Sequence, residues 1–272
     1  MGPMHLKTRL ASGTPVFGSF VFSPDPAVTE ILASAGYGFA IVDLEHASLG
    51  LTDAVAHIRA GAAARISVLV RVHGPTSPHI TRLLDAGAEG IVLPHFGLDR
   101  TASIAAVRQM RYAPAGNRPT CTGTRAADYG LADFAACARA ADAGVVAVAL
   151  VEDAEVLDDL PALLRESGAD MVMPGAADLS ASLGMPGALE HPRVRDAVGR
   201  VLACGRAAGI PVAVYARGPA DLEPWRALHT EAIVVSIDHR VLGQAYRGLR
   251  QAMTIAPVGH EAMAATSTDA PS

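Results

Sequence analysis

The chain has 272 residues, 50% of them hydrophobic, with 22 Lys and Arg against 27 Asp and Glu and a formal net charge of -5. That length suits one large barrel or two modest domains around a sizeable core. Mild acidity without any run of Lys or Arg provides no track for a phosphate backbone, which excludes nucleic acid as an expected partner.

Cys121, Cys137 and Cys204 are too widely spaced for a zinc ribbon or redox pair and read as reduced thiols. The opening "MGPMHLKTRLASG" lacks the apolar block of a signal peptide, and "VVAVALV" at 145–151 is too short to cross a bilayer. The expectation is a soluble cytoplasmic chain with no membrane contact.

In chain order, "VFGSFVF" (16–22) reads as a first strand. A helix follows in "DPAVTEILASAG", with Asp25 as N-cap, Pro26 in the first turn and Gly36 as stop. "FAIVDL" (39–44) and "SVLVRV" (67–72) are the second and third strands, and "SPHITRLLDAG" repeats the helix pattern with Ser77, Pro78 and Gly87. "GIVLPH" (90–95) is the fourth.

The interval 96–144 holds helix-like "DRTASIAAVRQM", a loop "RYAPAGNRPTCTGTRAADYG" longer than a simple connection requires, and helix-like "LADFAACARAADAG". "VVAVALV" (145–151) and "DMVMPG" (170–175) follow, then a helix from His191 to Gly209 with Pro192 near its start. "IPVAVYA" (210–216) and "AIVVSID" (232–238) complete eight strands.

These runs are short and almost continuously apolar, as in a parallel sheet covered by helices on one side and filled by a core on the other. "AG" or "GA" at 35–36, 87–88, 143–144 and 168–169 fits helix-to-strand turns that need left-handed backbone or close packing. No Gly-rich dinucleotide fingerprint follows the first strand, so an α/β fold of the (β/α)8 TIM barrel type is preferred to an open doubly wound sheet. The expected organisation is one barrel domain over 1–256 with a C-terminal helical extension, and a disordered tail over 257–272.

On a barrel, Asp43, Glu45 and His46 lie at the end of strand two, Arg71 at the end of strand three, Glu152 just after strand five and Asp178 after strand six. All fall on the face where barrels assemble their active sites. Glu152 and Asp178 offer hard oxygen ligands for a divalent cation, with strand-end capping as the competing reading. His46 is placed to relay a proton, with Asp43 or Glu45 fixing its tautomer. Arg71 interrupts an apolar strand and offers a planar fork to a carboxylate, against a role in an ordinary ion pair. His73 and His95 are supporting groups without an assigned partner.

The blocks "AGYGFAIVDLEH", "VLVRV", "LLDAGAEGIVLPH", "RYAPAGNR", "VALVEDAEV" and "ADLSASLG" resemble the metal-dependent 2-oxo-acid aldolases related to 4-hydroxy-2-oxoheptanedioate aldolase, the HpcH/HpaI-type family, over most of residues 14–240. The resemblance implies a barrel of the phosphoenolpyruvate/pyruvate type that assembles into a homo-oligomer, with a hexamer formed through exchange of the C-terminal helix as one form it suggests. It implies a class II aldolase that cleaves a 4-hydroxy-2-oxo acid into pyruvate, or a related 2-oxo acid, and an aldehyde. Mg2+ or Mn2+, or else Co2+, would be held by Glu152 and Asp178 and would stabilise the enolate. His46 with Asp43 would move the proton, and Arg71 would bind the oxo acid.

Gly175, Ala176 and Ala177 would border the substrate. Ala176 stands where the family pattern carries proline, and Pro119 where it often carries glycine. Arg125 and Tyr129 fall in a region resembling a substrate-facing loop, where Arg125 would meet a distal carboxylate or serve only to pack the loop. Lys7 is the only lysine and precedes the first strand, poorly placed for an imine. The alternatives are a condensing enzyme that adds an enolate to a ketone, as in citrate-synthase-like chemistry, and a non-catalytic barrel that binds an oxo acid.

Overall fold

A computed structural model describes residues 5–225 and 230–253. Its elements, in order, are α1 (Leu6–Leu10), β1 (Val16–Val21), α2 (Ala27–Ser34), β2 (Phe39–Asp43), α3 (Leu51–Ala64), β3 (Ser67–Arg71), α4 (Ile80–Ala86) and β4 (Gly90–Leu93). Then come α5 (Arg100–Gln109), α6 (Phe134–Gly144), β5 (Val146–Val151), α7 (Leu160–Ser167), β6 (Met171–Pro174), α8 (Ala176–Ser182), α9 (Pro192–Ala207), β7 (Ala213–Ala216), β8 (Ala232–Ile237) and α10 (Asp238–Ala252).

All eight expected strands form, every named pairing is parallel, and their order is β6-β5-β4-β3-β2-β1-β8-β7. A parallel bridge between Val172 and Val212 joins the two edges and nearly closes the barrel. The expected tail from residue 257, and the last residues of the expected domain, lie outside the described residues.

The strands end where local chemistry stops the ladder. β7 begins at Ala213 rather than at Ile210 because Pro211 has no N–H to donate. β4 ends at Leu93, two residues before His95, whose φ of 51° turns the chain away. Asp25 accepts a hydrogen bond from the Ala27 N–H at 2.9 Å, although the helix itself begins one residue later than that cap would place it. His191 caps α9 through the Arg193 N–H at 3.2 Å. Gly36, Gly87 and Gly168 adopt positive φ. Gly144 does not; its missing side chain makes room for His5, whose Nδ1 would lie 2.9 Å from a Cβ there.

Two cores follow from strand alternation. Val42, Val70 and Ala149 face the helices, whereas Phe39, Ile41, Leu69, Val148, Leu150, Met171 and Met173 fill the barrel. Leu6 and Leu10 of α1 close its N-terminal end. The inward register, carried two residues at a time past the last apolar layer, delivers Asp43, Arg71, Glu152 and Gly175 to the opposite, C-terminal mouth.

Candidate active site

Asp43 and Arg71 are register partners across β2 and β3, and both are buried. Arg71 Nε donates to Asp43 Oδ1 at 3.1 Å and Nη2 donates to Oδ2. Arg71 Nη1 lies 3.3 Å from Glu45 Oε2, and the guanidinium stacks 4.8 Å from the Phe20 ring centroid. Burial lowers the Arg71 pKa, but Asp43, Glu45 and Glu152 outweigh it and the net shift is upward. An arginine has five N–H groups; two are taken by Asp43, so one remains on Nη2 and both remain on Nη1, beside Glu45. Arg71 lines a cavity of about 340 Å³ that also takes in His46, Glu152, Gly175, Ala176, Ala177 and Asp178.

Glu152 is only 2% exposed. Its Oε2 accepts the His95 N–H at 3.0 Å, and its carboxyl is pushed up to about 7 by burial first, with Asp178 and Glu45 adding to the rise against the pull of the His95 N–H. Among the described residues no cationic side chain lies within ion-pair distance of Glu152 or Asp178. Two carboxylates facing one cavity therefore lack positive charge, and a divalent cation would supply it. No group of three or more His, Cys, Asp or Glu suited to a metal occurs among the described residues, which leaves further positions to water and to substrate oxygens. That donor set fits a hard cation.

Asp43 does not reach the His46 ring. Its Oδ1 accepts the Glu45 N–H at 2.8 Å and the His46 N–H at 3.2 Å, so it shapes the loop after β2 while clamping Arg71. The carboxylate nearest the exposed His46 imidazole is Glu45, at 3.8 Å from Nε2. Burial, the largest influence, raises the Glu45 pKa, with Arg71 opposing it, and its buried Oε2 has no hydrogen-bond partner.

Arg125 is not brought to this cavity. Its Nη1 donates to Ala86 O at 3.0 Å, covering the C-terminal end of α4, because the long loop folds back along the outside of the barrel. Arg118 from the same loop is buried on Tyr112 and bonded to Asp85 at 2.7 Å. His73 is exposed beyond β3, and Tyr129 is 57% exposed. Lys7 lies at the closed end of the barrel, 2.7 Å from Asp170 Oδ1. His95 binds Asp153 through Nδ1 at 3.1 Å.

Phe20, Tyr215, Arg217, Ile237 and Arg240, not singled out from the sequence, also line the cavity. The usable signal was register. Phe20 precedes the last residue of β1, Ile237 ends β8, and Tyr215 and Arg217 bracket the end of β7.

The profile of the HpcH/HpaI aldolase/citrate lyase family matches residues 17–244. The chain is 32% identical over 241 residues to a hydroxypyruvate/pyruvate aldolase of Paraburkholderia phytofirmans, covering 86% of this chain and 91% of that one. It is 35% identical over 209 residues to a 4-hydroxy-2-oxovalerate aldolase of Rhodococcus jostii, covering 75% and 80%. The solved structure of the citrate synthase SbnG superposes with a TM-score of 0.80 at 31% identity, over 91% of this chain and 95% of that one.

Proposed function

Because the chain belongs to the HpcH/HpaI aldolase/citrate lyase family, we propose that it is a divalent-metal-dependent aldolase that reversibly cleaves a 4-hydroxy-2-oxo acid into pyruvate, or a related 2-oxo acid, and an aldehyde. The observation that carries this reading is the buried Glu152 carboxyl, pushed up to about 7, in one cavity with Asp178 and the clamped Arg71 guanidinium.

Glu152 and Asp178 would hold the cation, Mg2+ or Mn2+, with Co2+ also compatible with oxygen ligands. When bound, such an ion supplies positive charge to the enolate of a 2-oxo acid. Arg71 offers its remaining Nη N–H groups to oxo-acid oxygens, in a plane fixed by Asp43 and Phe20. Gly175, Ala176 and Ala177 border the oxo acid. Leu150, Met173 and Ile237 exclude water around the reacting carbons. His46 takes and returns the proton of the aldol hydroxyl at the cavity mouth, with Glu45 as its acidic neighbour. The only lysine is at the far end of the barrel, so no imine from a lysine serves this cavity.

Assembly into a homo-oligomer belongs to the proposal. It is supported by α10, which exposes Leu242, Tyr246 and Leu249 along one stripe that Met253, just past the helix end, continues. Three free cysteines support a reducing, cytoplasmic setting. No described helix is long and apolar enough to cross a membrane.

The test measures pyruvate release from several 4-hydroxy-2-oxo acids before and after chelation and after metal readdition. Full turnover in metal-free protein overturns the metal assignment. The likeness to the citrate synthase SbnG favours a second reading, addition of an enolate to a ketone; condensation confined to ketone acceptors would establish it instead.

A further inference from the structure

We infer that Arg240, beside Arg217 at the outer wall of the cavity, selects an acceptor aldehyde whose far end is anionic, a carboxylate or a phosphate. The inference rests on the aldolase reading and assigns the half of the substrate that Arg71 and the carboxylate pair do not touch.

Both side chains line the same cavity as Arg71, Glu152 and Asp178, and both residues are exposed, which puts them at its open side. They differ in what already neutralises them. Arg217 is forked onto Asp221, with Nε 2.7 Å from Oδ2 and Nη2 2.8 Å from Oδ1, and Glu190 Oε1 lies 3.7 Å away. Arg240 has no carboxylate within ion-pair distance among the described residues. It lies close enough to Asp221 to help hold that carboxyl below its usual range, the Arg217 hydrogen bond being the larger cause. The positive charge left over at the mouth is therefore that of Arg240.

The first turn of α10 holds this charge in place. Asp238, 7% exposed, accepts the N–H groups of Phe22 at 3.0 Å and Ser23 at 2.9 Å and also that of His239 at 2.8 Å. This ties the helix start to the segment after β1. Phe22, Tyr215 and Ile237 line the same cavity and give it a largely apolar wall, which suits a short carbon chain with its charge at the far end. A neutral aldehyde would leave the guanidinium without a partner, whereas an anionic one forms a charge-assisted pair at a partly desolvated mouth.

The experiment uses the metal-loaded full-length protein. Solvent deuterium exchange at carbon three of pyruvate, without aldehyde, reports the aldolase half-reaction in the wild type. kcat/KM is then measured for aldol addition to propanal, glyceraldehyde, succinic semialdehyde and glyceraldehyde 3-phosphate. The expected result is an anionic-to-neutral ratio on the order of tenfold in the wild type, a fall in that ratio of similar size in Arg240→Ala, its inversion in Arg240→Glu, and its partial retention in Arg240→Lys. A preference for only one of the two anions supports the inference and names the anion. Exchange in the wild type with the same ratio in wild type and Arg240→Ala overturns the inference and leaves the aldolase reading standing. No exchange overturns both.

Discussion

Asp43 and Arg71 face each other across the β2–β3 ladder, and the carboxylate takes the Nε edge of the guanidinium before any substrate arrives. The pair is buried, with Arg71 7% and Asp43 0% exposed. Removing one partner of such a pair leaves an uncompensated buried charge, which costs about 3 kcal/mol or more. Asp43→Ala is expected to lose stability on that scale in urea unfolding, and Asp43→Asn less, since an amide preserves shape and one acceptor. Wild-type stability in Asp43→Ala would show that Glu45, 3.3 Å from Nη1, holds Arg71 unaided.

Glu152 makes the metal-free protein sensitive to pH. The folded carboxyl keeps its proton to about 7, whereas an unperturbed glutamate loses it near 4.5. Between these the native state binds more protons than the unfolded chain, so stability falls as pH rises; the contribution is full below the lower value and lost as pH passes the upper one. The size is on the order of 3 kcal/mol. Glu152→Gln should flatten this slope in urea titrations in the presence of a chelator, between pH 4.5 and about 7. A divalent cation binds the ionised form, so its affinity by calorimetry should climb over the same interval in the wild type. An identical pH slope in wild type and variant would contradict the assignment.

The barrel and the site were legible to different depths. Eight short apolar runs separated by capped helices determine the strands, because a parallel sheet buried on both faces has no polar alternation to confuse them. The same rule locates Asp43, Arg71 and Glu152, each continuing an inward register past the core. What the register could not reveal was which carboxylate faces which cation. Sequence spacing leaves Asp43 or Glu45 as the partner of the His46 imidazole, and the family resemblance points to Asp43; its buried carboxylate instead meets the cation on the next strand and gives His46 only a backbone contact. Of the two readings of Arg125, its bond to Ala86 O fits the packing one; spacing could not choose between them, since the path of a long loop depends on what it packs against, here the end of α4. Arg240 follows the last strand, in a turn whose direction is set by Asp238 and the backbone N–H groups of Phe22 and Ser23, far away in sequence.

Gly175 is required by the Glu152 side chain. A Cβ there would fall 2.5 Å from Glu152 Cγ and 2.9 Å from Oε1, too close for either atom to stay. Gly175→Ala should displace the carboxylate and weaken Mn2+ binding on the order of tenfold, while the fold persists by circular dichroism. Unchanged Mn2+ affinity would show that the site tolerates a shifted Glu152.

The apolar stripe of α10 predicts association. Leu242 is 47% and Tyr246 70% exposed, one turn apart. Replacing both with Asp puts charge where an apolar contact between copies would bury it, at a cost of several kcal/mol per interface. Light scattering should report a smaller assembly for the double variant than for the wild type at equal concentration. Equal masses would remove this stripe from the interface.

Arg71→Lys separates charge from geometry. Lysine keeps the positive charge but is a point donor; it cannot grip both Asp43 oxygens, keep a flat face on Phe20 and still present fixed N–H groups to an oxo acid. Misplacing a substrate by about 1 Å costs on the order of a hundredfold in rate. The expected loss is of that size in pyruvate-dependent solvent exchange at carbon three, measured with metal-saturated protein, and of similar size in aldol cleavage, because both pass through the same oriented oxo acid. A variant that exchanges at the wild-type rate but cleaves slowly would place Arg71 on the aldehyde side. Wild-type rates in both assays would take it away from the substrate altogether and leave it as the buried partner of Asp43.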